Sequence, residues 1–591
     1  MQLDSPLKSH SQDKTNTSSL WLSAKPMLLP TPALDFADEQ TARHCLREYF
    51  LNTFDTYEQL FECLKHEDAF FIKPITLRHP LIFYFAHTAT FFVNKLLLSK
   101  LISERVNPHF ESIFAIGVDE MSWDDLDEVH YDWPSVQEVR DYRHQVRALI
   151  LNILEHAPLT LPLNWQNPWW TIIMGIEHER IHLETSSVLI RQHALEHVRQ
   201  HPQWRANIIT GMAPDNILLD VPEGKVHLQK DFNHPFYGWD NEYGRHEAEV
   251  AAFAASKYLV SNQEFLAFVE ADGYQTEHYW SEEGLGWLQF SQAAHPCFWR
   301  KTELGWSLRL MLEEVPMPWD WPVEVNYHEA KAFCQWKSQQ LGKTIRLPTE
   351  DEWYRLYAVS DLDPDLQSPE QANIELKYGT SSCPVDHFKQ GDFYDIQGNV
   401  WQWTETPIYP FQGFQVHPLY DDFSTPTFDG RHNLMKGGSW ISAGNEALYS
   451  SRYAFRRHFF QHAGFRYVAS DQALQHFPSN YESDQLVSQY LEFQYGPEYF
   501  GIANFAKTLV DLAQPYFQQA PCHRALDIGC ATGRASFELA RYFDQVTGLD
   551  FSARFIQQAV YLAQGDKVRY QLPLEGELSE EKSCSLEDVA L

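Results

Sequence analysis

The hydrophobic pattern of this chain changes period twice, so its apolar residues cannot all be buried in one arrangement of layers. From about 37 to 205 they recur three and four residues apart, the spacing of amphipathic helices. One helix is expected from near Pro80 to about Ser103. Another starts at Asn167-Pro168, a capping residue followed by proline in the first turn, and runs to about Val198. Several long helices with short loops predict a bundle. After about 210 the chain becomes dense in Trp, Gly, Tyr and Asn, and its strands shorten, as in Lys225-Val-His-Leu and Arg346-Leu-Pro. With one well-patterned helix near Tyr327–Gln340, this predicts an α+β domain with irregular loops over 210–470. Strands and helices alternate again over 485–591. Arg524-Ala-Leu-Asp-Ile, Gln545-Val-Thr-Gly-Leu and Val568-Arg-Tyr-Gln-Leu read as β-α-β-α-β, the opening half of a doubly wound, Rossmann-like sheet. The expected fold class is therefore multidomain: an α bundle, an α+β domain and an incomplete α/β domain. Residues 1–36 are rich in Ser, Thr, Lys and Pro and are expected to be disordered.

Charge narrows the function. The formal net charge is 46 − 80 = −34, which repels nucleic acid and anionic membrane and leaves small molecules as the expected partners. The eight cysteines are scattered without a C-x-x-C pair, which fits a reducing cytoplasm. The polar start Met-Gln-Leu-Asp-Ser-Pro carries no apolar signal segment. The longest mostly apolar run, Pro80 to Val93, falls short of a membrane span and holds a histidine, His87.

Three histidines carry the chemistry. His178 and His182, four apart, share one face of a helix and can grip one metal ion, with His87 from the other long helix as a third ligand. The same stretch spells H-E-x-x-H, in which Glu179 would be the general base of a zinc peptidase. Against that reading, Thr185 and Val188 stand where the extended peptidase motif needs Gly and His, and Glu184 and Glu196 are too near for the usual third ligand. Glu184 lies two residues past His182, roughly 200° around the helix. It is expected to hydrogen-bond a ligand imidazole rather than bind the metal. Three neutral imidazoles leave about three open positions on an octahedral ion. Zinc would use them for hydrolysis and iron(II) for oxygen and substrate.

The motif His178-x-x-x-His182-x-Glu184 with His87 upstream resembles the iron site of the sulfoxide synthases of ergothioneine and ovothiol biosynthesis. Those enzymes join a DinB-like bundle to a domain like the formylglycine-generating enzyme. The second domain fits the resemblance through Arg346-Leu-Pro-Thr-Glu-Asp-Glu-Trp353, Gly398-Asn-Val-Trp-Gln-Trp403, Lys436-Gly-Gly-Ser-Trp440 and Gly464-Phe-Arg466. Most of these residues are expected to serve the fold. Residues 425–470 contain no cysteine, so the copper-binding thiols of formylglycine-generating enzymes are absent. Where ergothioneine-type enzymes carry Asn-Trp-Asp, this chain has Ser451-Arg-Tyr-Ala-Phe-Arg-Arg-His458. That departure, the loop Phe114 to Asp125 and the attached C-terminal segment resemble the ovothiol-type enzymes. The resemblance implies iron(II) as cofactor and L-cysteine, L-histidine and O2 as substrates. It also implies a tyrosine near the iron as acid or hydrogen donor, for which Tyr420 and then Tyr409 are the candidates. Arg452, Arg456 and Arg457 are candidate partners for substrate carboxylates.

Asp527-Ile-Gly-Cys-Ala-Thr-Gly533 after an apolar strand resembles the first motif of S-adenosylmethionine methyltransferases. Asp527, Gly529 and Gly533 would form the cradle, and Asp550, ending the next strand, would hold the ribose hydroxyls. Only three strands are expected, and 573–591 cannot supply a second half-sheet, so this part is expected to be truncated or shortened and to lack methyl transfer. Rival readings are an ergothioneine-type sulfoxide synthase, the zinc peptidase and a non-enzymatic ligand-binding module.

Overall fold

The structure, a computed structural model, describes residues 27–115, 132–303, 305–364, 370–420, 423–474, 484–517, 523–550, 552–573 and 579–590. The loop expected to mark the ovothiol type lies outside the described residues beyond Ala115.

The helical period produces four long helices: α1 (Glu39–Phe61), α2 (Leu81–Leu98), α3 (Val136–His156) and α4 (Trp170–Gln192). Asp38 caps α1 and a Ser135–Glu138 capping box starts α3, each satisfying backbone donors that a helix start leaves bare. Helix α2 is long and apolar enough to cross a membrane by length and composition, beyond the shorter run read from the sequence. It is instead 78% buried in the bundle. Composition predicts disorder up to residue 36, yet the described part of that segment is packed. Leu28 and Leu34 are buried, and the Leu29 carbonyl accepts a hydrogen bond from Arg180.

A charged group holds the bundle centre. Arg143 is fully buried and pairs with Glu179 at 2.9 Å and Glu58 at 3.0 Å. Its remaining donors reach the Phe85 carbonyl and the Thr88 hydroxyl. A buried guanidinium is tolerated only when fully partnered in this way.

The second domain contains two four-stranded sheets. One has the order β1 (Leu218–Val221), β4 (Phe253–Ser256), β10 (Val468–Ala469), β5 (Ile345–Arg346), all antiparallel. The other runs β8 (Tyr453–Arg456), β7 (His432–Lys436), β6 (Trp401–Pro407), β9 (Ala463–Gly464), with β6 and β9 parallel. A two-stranded ribbon, β2 (Gly224–Lys230) with β3 (Gly244–Val250), precedes them. The sequence motifs serve this fold. Arg346 forms a bidentate pair with Glu352, and the Trp403 indole donates to the Val325 carbonyl. Gly464 has no room for a side chain, because a Cβ there would lie 2.4 Å from the Val323 carbonyl oxygen.

Helix α4 joins the two domains. All its residues except Ile181 and Gln192 are buried. Glu177, Glu184 and Arg191 recur every seven residues and so share a face, which meets the second domain. Glu177 accepts from the Asn445 backbone and Tyr49, while Arg191 pairs with Glu324 at 2.5 Å.

In the C-terminal segment, which opens with α5 (Asp484–Tyr495) and α6 (Phe505–Phe517), β11 (Arg524–Ile528) and β12 (Gln545–Leu549) are parallel, with α7 (Arg534–Leu539) between them and α8 (Ala553–Ala563) after. The expected third parallel strand is not formed. Val568–Pro573 (β13) instead pairs antiparallel with Ser579–Cys584 (β14). Hairpin pairing needs only a short connection, whereas a further parallel strand needs a crossover.

Replacing Arg143 with methionine leaves Glu179 buried and unpaired. The bundle is expected to lose about 3–5 kcal/mol of stability, read as a lower midpoint in urea unfolding. An unchanged midpoint would show that Arg143 carries no such load.

Candidate metal centre

Helix spacing brings the three histidines together. One ring nitrogen from each of His87, His178 and His182 lies within 4.8 Å of the others, the one cluster of this kind among the described residues. Nε2 of His178 and Nε2 of His182 face each other at 3.2 Å. Nδ1 of His87 lies 2.6 Å from the Phe114 carbonyl oxygen, which fixes that nitrogen as the N–H donor and leaves Nε2 with its lone pair. Phe91, one turn beyond His87 on α2, stacks flat on His178 with ring centres 3.7 Å apart. Burial, with His182, His87 and Lys95 nearby, holds the His178 pKa well below the ordinary histidine value. Three ring nitrogens gathered around a His178 held neutral are the donor set a divalent ion needs, and iron(II) and zinc both fit it.

The cluster opens into a cavity of about 360 Å³ at the junction of the bundle and the second domain. Tyr420 lines it, with its ring centre 6.3 Å from that of His178 and 5.0 Å from that of Phe91. The Lys95 ammonium lies 3.9 Å from the centre of the Tyr420 ring. Arg78, Arg456 and Asp429 add charge to the walls.

Other expected site residues are placed elsewhere. Glu184 does not turn toward the histidines. Its carboxylate accepts from the Trp401 indole at 2.8 Å, Ser442 at 2.8 Å and Ser439 at 3.1 Å, so it ties α4 to the second domain. Burial pushes its pKa up to about 7 against those three donors. This corrects the expectation of an outer hydrogen bond to a ligand imidazole, and the 200° offset is the reason. Tyr409 does not line the cavity; it packs beside His246 and under the Arg452 guanidinium. Arg452 borders the cavity, yet it is buried, forms two bonds to Glu350 and donates to the carbonyls of Asn241 and Tyr409. Its donors are spent on the fold. Arg457 pairs with Glu283 and Asn433 away from the cavity. Of the three arginines Arg452 and Arg456 line the cavity and Arg457 does not. Glu179 accepts from Arg143 and Thr88 inside the bundle and does not line the cavity onto which His178 and His182 open. Phe91 and Lys95 were missed in the sequence although they follow His87 at four and eight residues, a spacing that marks them as its helical neighbours.

The nucleotide motif of the C-terminal segment is assembled at the carboxyl ends of β11 and β12. Gly529 and Gly533 have φ of 79° and 90°, and a Cβ on Gly529 would meet open space. Asp527 accepts from Ser536, and Asp550 accepts from the backbone of Ala531 and Ser552. The cradle and the acid fit a nucleotide-like ligand on this side of the crevice.

Residues 49–186 match the DinB superfamily, 210–471 the sulfatase-modifying factor enzyme 1-like domain and 525–580 a methyltransferase domain. The chain is a fusion of these three domains. Ergothioneine biosynthesis protein 1 of Schizosaccharomyces pombe is 24% identical over 445 residues, covering 68% of this chain and 52% of that protein. Hercynine oxygenase of Mycobacterium tuberculosis is 32% identical over 222 residues, or 34% of this chain and 48% of its own length. Formylglycine-generating enzyme of Bos taurus is 26% identical over 272 residues, covering 39% of this chain and 67% of that enzyme. The fusion thus spans about half the length of the first two relatives.

Anaerobic loading with ferrous iron is expected to give one ion per chain by elemental analysis after desalting. His87→Ala, His178→Ala and His182→Ala should each weaken binding more than about 100-fold. Glu179→Gln should retain the ion, and a loss equal to that of the histidine variants would contradict this arrangement.

Proposed function

We propose that the chain is a non-haem iron(II)- and O2-dependent sulfoxide synthase that joins L-cysteine to the imidazole ring of L-histidine, giving 5-histidylcysteine sulfoxide. The observation that carries this reading is the three-histidine cluster, open to a cavity lined by Tyr420 and arginines. Its relation to a hercynine oxygenase supports an oxidative reaction on a histidine-derived ring.

The overall change balances without another reductant. Thiol S–H and ring C–H bonds break, a C–S bond forms, and O2 supplies one oxygen to sulfur and one to water. Iron(II) held by His87, His178 and His182 would supply sites for a soft thiolate and for dioxygen. The protein's own part is to orient two amino acids and manage the ring proton. Phe91 keeps the His178 ring in plane by stacking on it. Tyr420, flanked by the Lys95 charge, would exchange a proton or hydrogen atom at the ring carbon. Arg456, on the cavity wall, would bind a substrate carboxylate.

A second reading, supported by the names of the relatives, is the ergothioneine type acting on trimethylhistidine and γ-glutamylcysteine. The Ser451–His458 segment favours free histidine and cysteine, because it replaces the ergothioneine-type sequence beside the cavity and places Arg456 there. Sulfatase modification is disfavoured. In the second domain Cys297, Cys334 and Cys383 are unpaired thiols whose pKa burial raises, and none is in 425–470. For the C-terminal segment we infer S-adenosylmethionine binding at Gly529, Gly533, Asp527 and Asp550. Methyl transfer is not assigned to it, since its parallel sheet has two strands among the described residues.

The test is aerobic incubation with iron(II), cysteine and histidine, read by mass. A cysteine–histidine adduct carrying one extra oxygen is expected, and Tyr420→Phe should lower its yield at least about tenfold. No adduct, or an adduct only from trimethylhistidine and γ-glutamylcysteine, would overturn the histidine–cysteine reading.

A further inference from the structure

The metal cavity has a wall that comes from neither the bundle nor the second domain. Arg554, Gln557 and Tyr561 of α8 line it, three and four residues apart and so on one face of that helix. Phe555 and Leu562 are buried in the core of the C-terminal segment itself. One helix therefore packs one face at home and turns the other to a cavity built by two different domains, against the turn Thr425–Thr427. Tyr561 is 39% exposed, so this wall reaches solvent. The start of the helix is fixed. Ser552 caps it through the Phe555 backbone, and the Ser552 backbone in turn donates to Asp550.

The wall carries charge. The cavity's cationic side chains include Arg78, Arg456 and Arg554, and its acid is Asp429. Arg78 is engaged with the Tyr84 hydroxyl and stacked over Phe459. Burial works against ionising Asp429, but the His432 ring, the Arg431 backbone and the Arg554 charge together hold its carboxyl below the usual range. Asp429 and Arg554, on one cavity wall, offer one partner of each sign to the ammonium and carboxylate of an amino acid. A thiol substrate bound at the metal is short and keeps its carboxylate deep in the cavity. An imidazole amino acid is longer, with its carboxylate at the far end from the reacting ring.

We propose that α8 of the methyltransferase-like segment is the outer wall of the metal cavity, and that Arg554 binds the carboxylate of the imidazole amino acid there. This rests on the proposed sulfoxide synthase reading for the identity of the substrate. It makes the C-terminal segment part of the first reaction, with Arg554 setting specificity for an intact α-carboxylate.

The test compares L-histidine with histamine, which lacks the carboxylate, on the full chain and its Arg554→Ala and Arg554→Lys variants. Calorimetric binding to the metal-free protein is expected to favour L-histidine at least about tenfold in the unaltered chain. The preference should collapse in Arg554→Ala and return in part in Arg554→Lys. In turnover, Arg554→Ala should raise KM for histidine about 10- to 100-fold and leave KM for cysteine within about threefold. A preference that is absent from the unaltered chain, or that survives Arg554→Ala, overturns the proposal. If the unaltered chain forms no adduct, the sulfoxide synthase reading fails, while the binding comparison still decides the role of Arg554.

Discussion

The carboxylate of Glu184 lies buried where α4 meets the second domain, and three donors, from Trp401, Ser439 and Ser442, converge on it. Separating the domains would strip each of these groups of its partner, and an unsatisfied buried polar group costs about 1–3 kcal/mol. The docking is therefore held by geometry that cannot be relaxed piecemeal. The same helix carries His178, His182 and Thr185 on the face beside this seam. A residue that locks one face of α4 thereby places the histidines on the next face at a fixed angle to the second domain. The cavity exists because that domain is held there, and Tyr420 and Arg456 reach it only across the seam.

Burial acts on His178 in the opposite sense to its action on Glu184. It keeps that imidazole neutral and pushes the carboxyl up, and both effects remove charge from the interface. The walls farther out are different. Within a chain of net charge −34, arginines gather around the cavity, so the local field favours a small anionic group that the surface as a whole repels. Small zwitterions match that division between a neutral, ligand-rich floor and a cationic rim.

Much of this was legible in the sequence, for identifiable reasons. The four-residue spacing of His178 and His182 is a property of one helix and needs no tertiary information. The offset of Glu184 was readable as well, but its partners were not, because Trp401, Ser439 and Ser442 lie more than two hundred residues away. Arg452 looked like a carboxylate ligand by composition, and it does bind one, but the carboxylate is the protein's own Glu350. Tyr409 and Tyr420 are alike in sequence. They are separated only by loop geometry that carries one to the cavity and the other to His246. The strand at Val568 showed a correct β pattern, but pattern does not choose a partner strand. Arg554 gave no signal, since its motif belongs to another domain and its position follows from how that domain is docked.

The proposed function requires three imidazoles that hold an ion open to a substrate thiol. X-ray absorption at the iron edge, on the ferrous-loaded chain before and after L-cysteine, tests it most directly. Three imidazole nitrogen scatterers without sulfur are expected at first, and one sulfur scatterer gained when cysteine is added. A carboxylate-dominated shell, or a shell unchanged by cysteine, would contradict it.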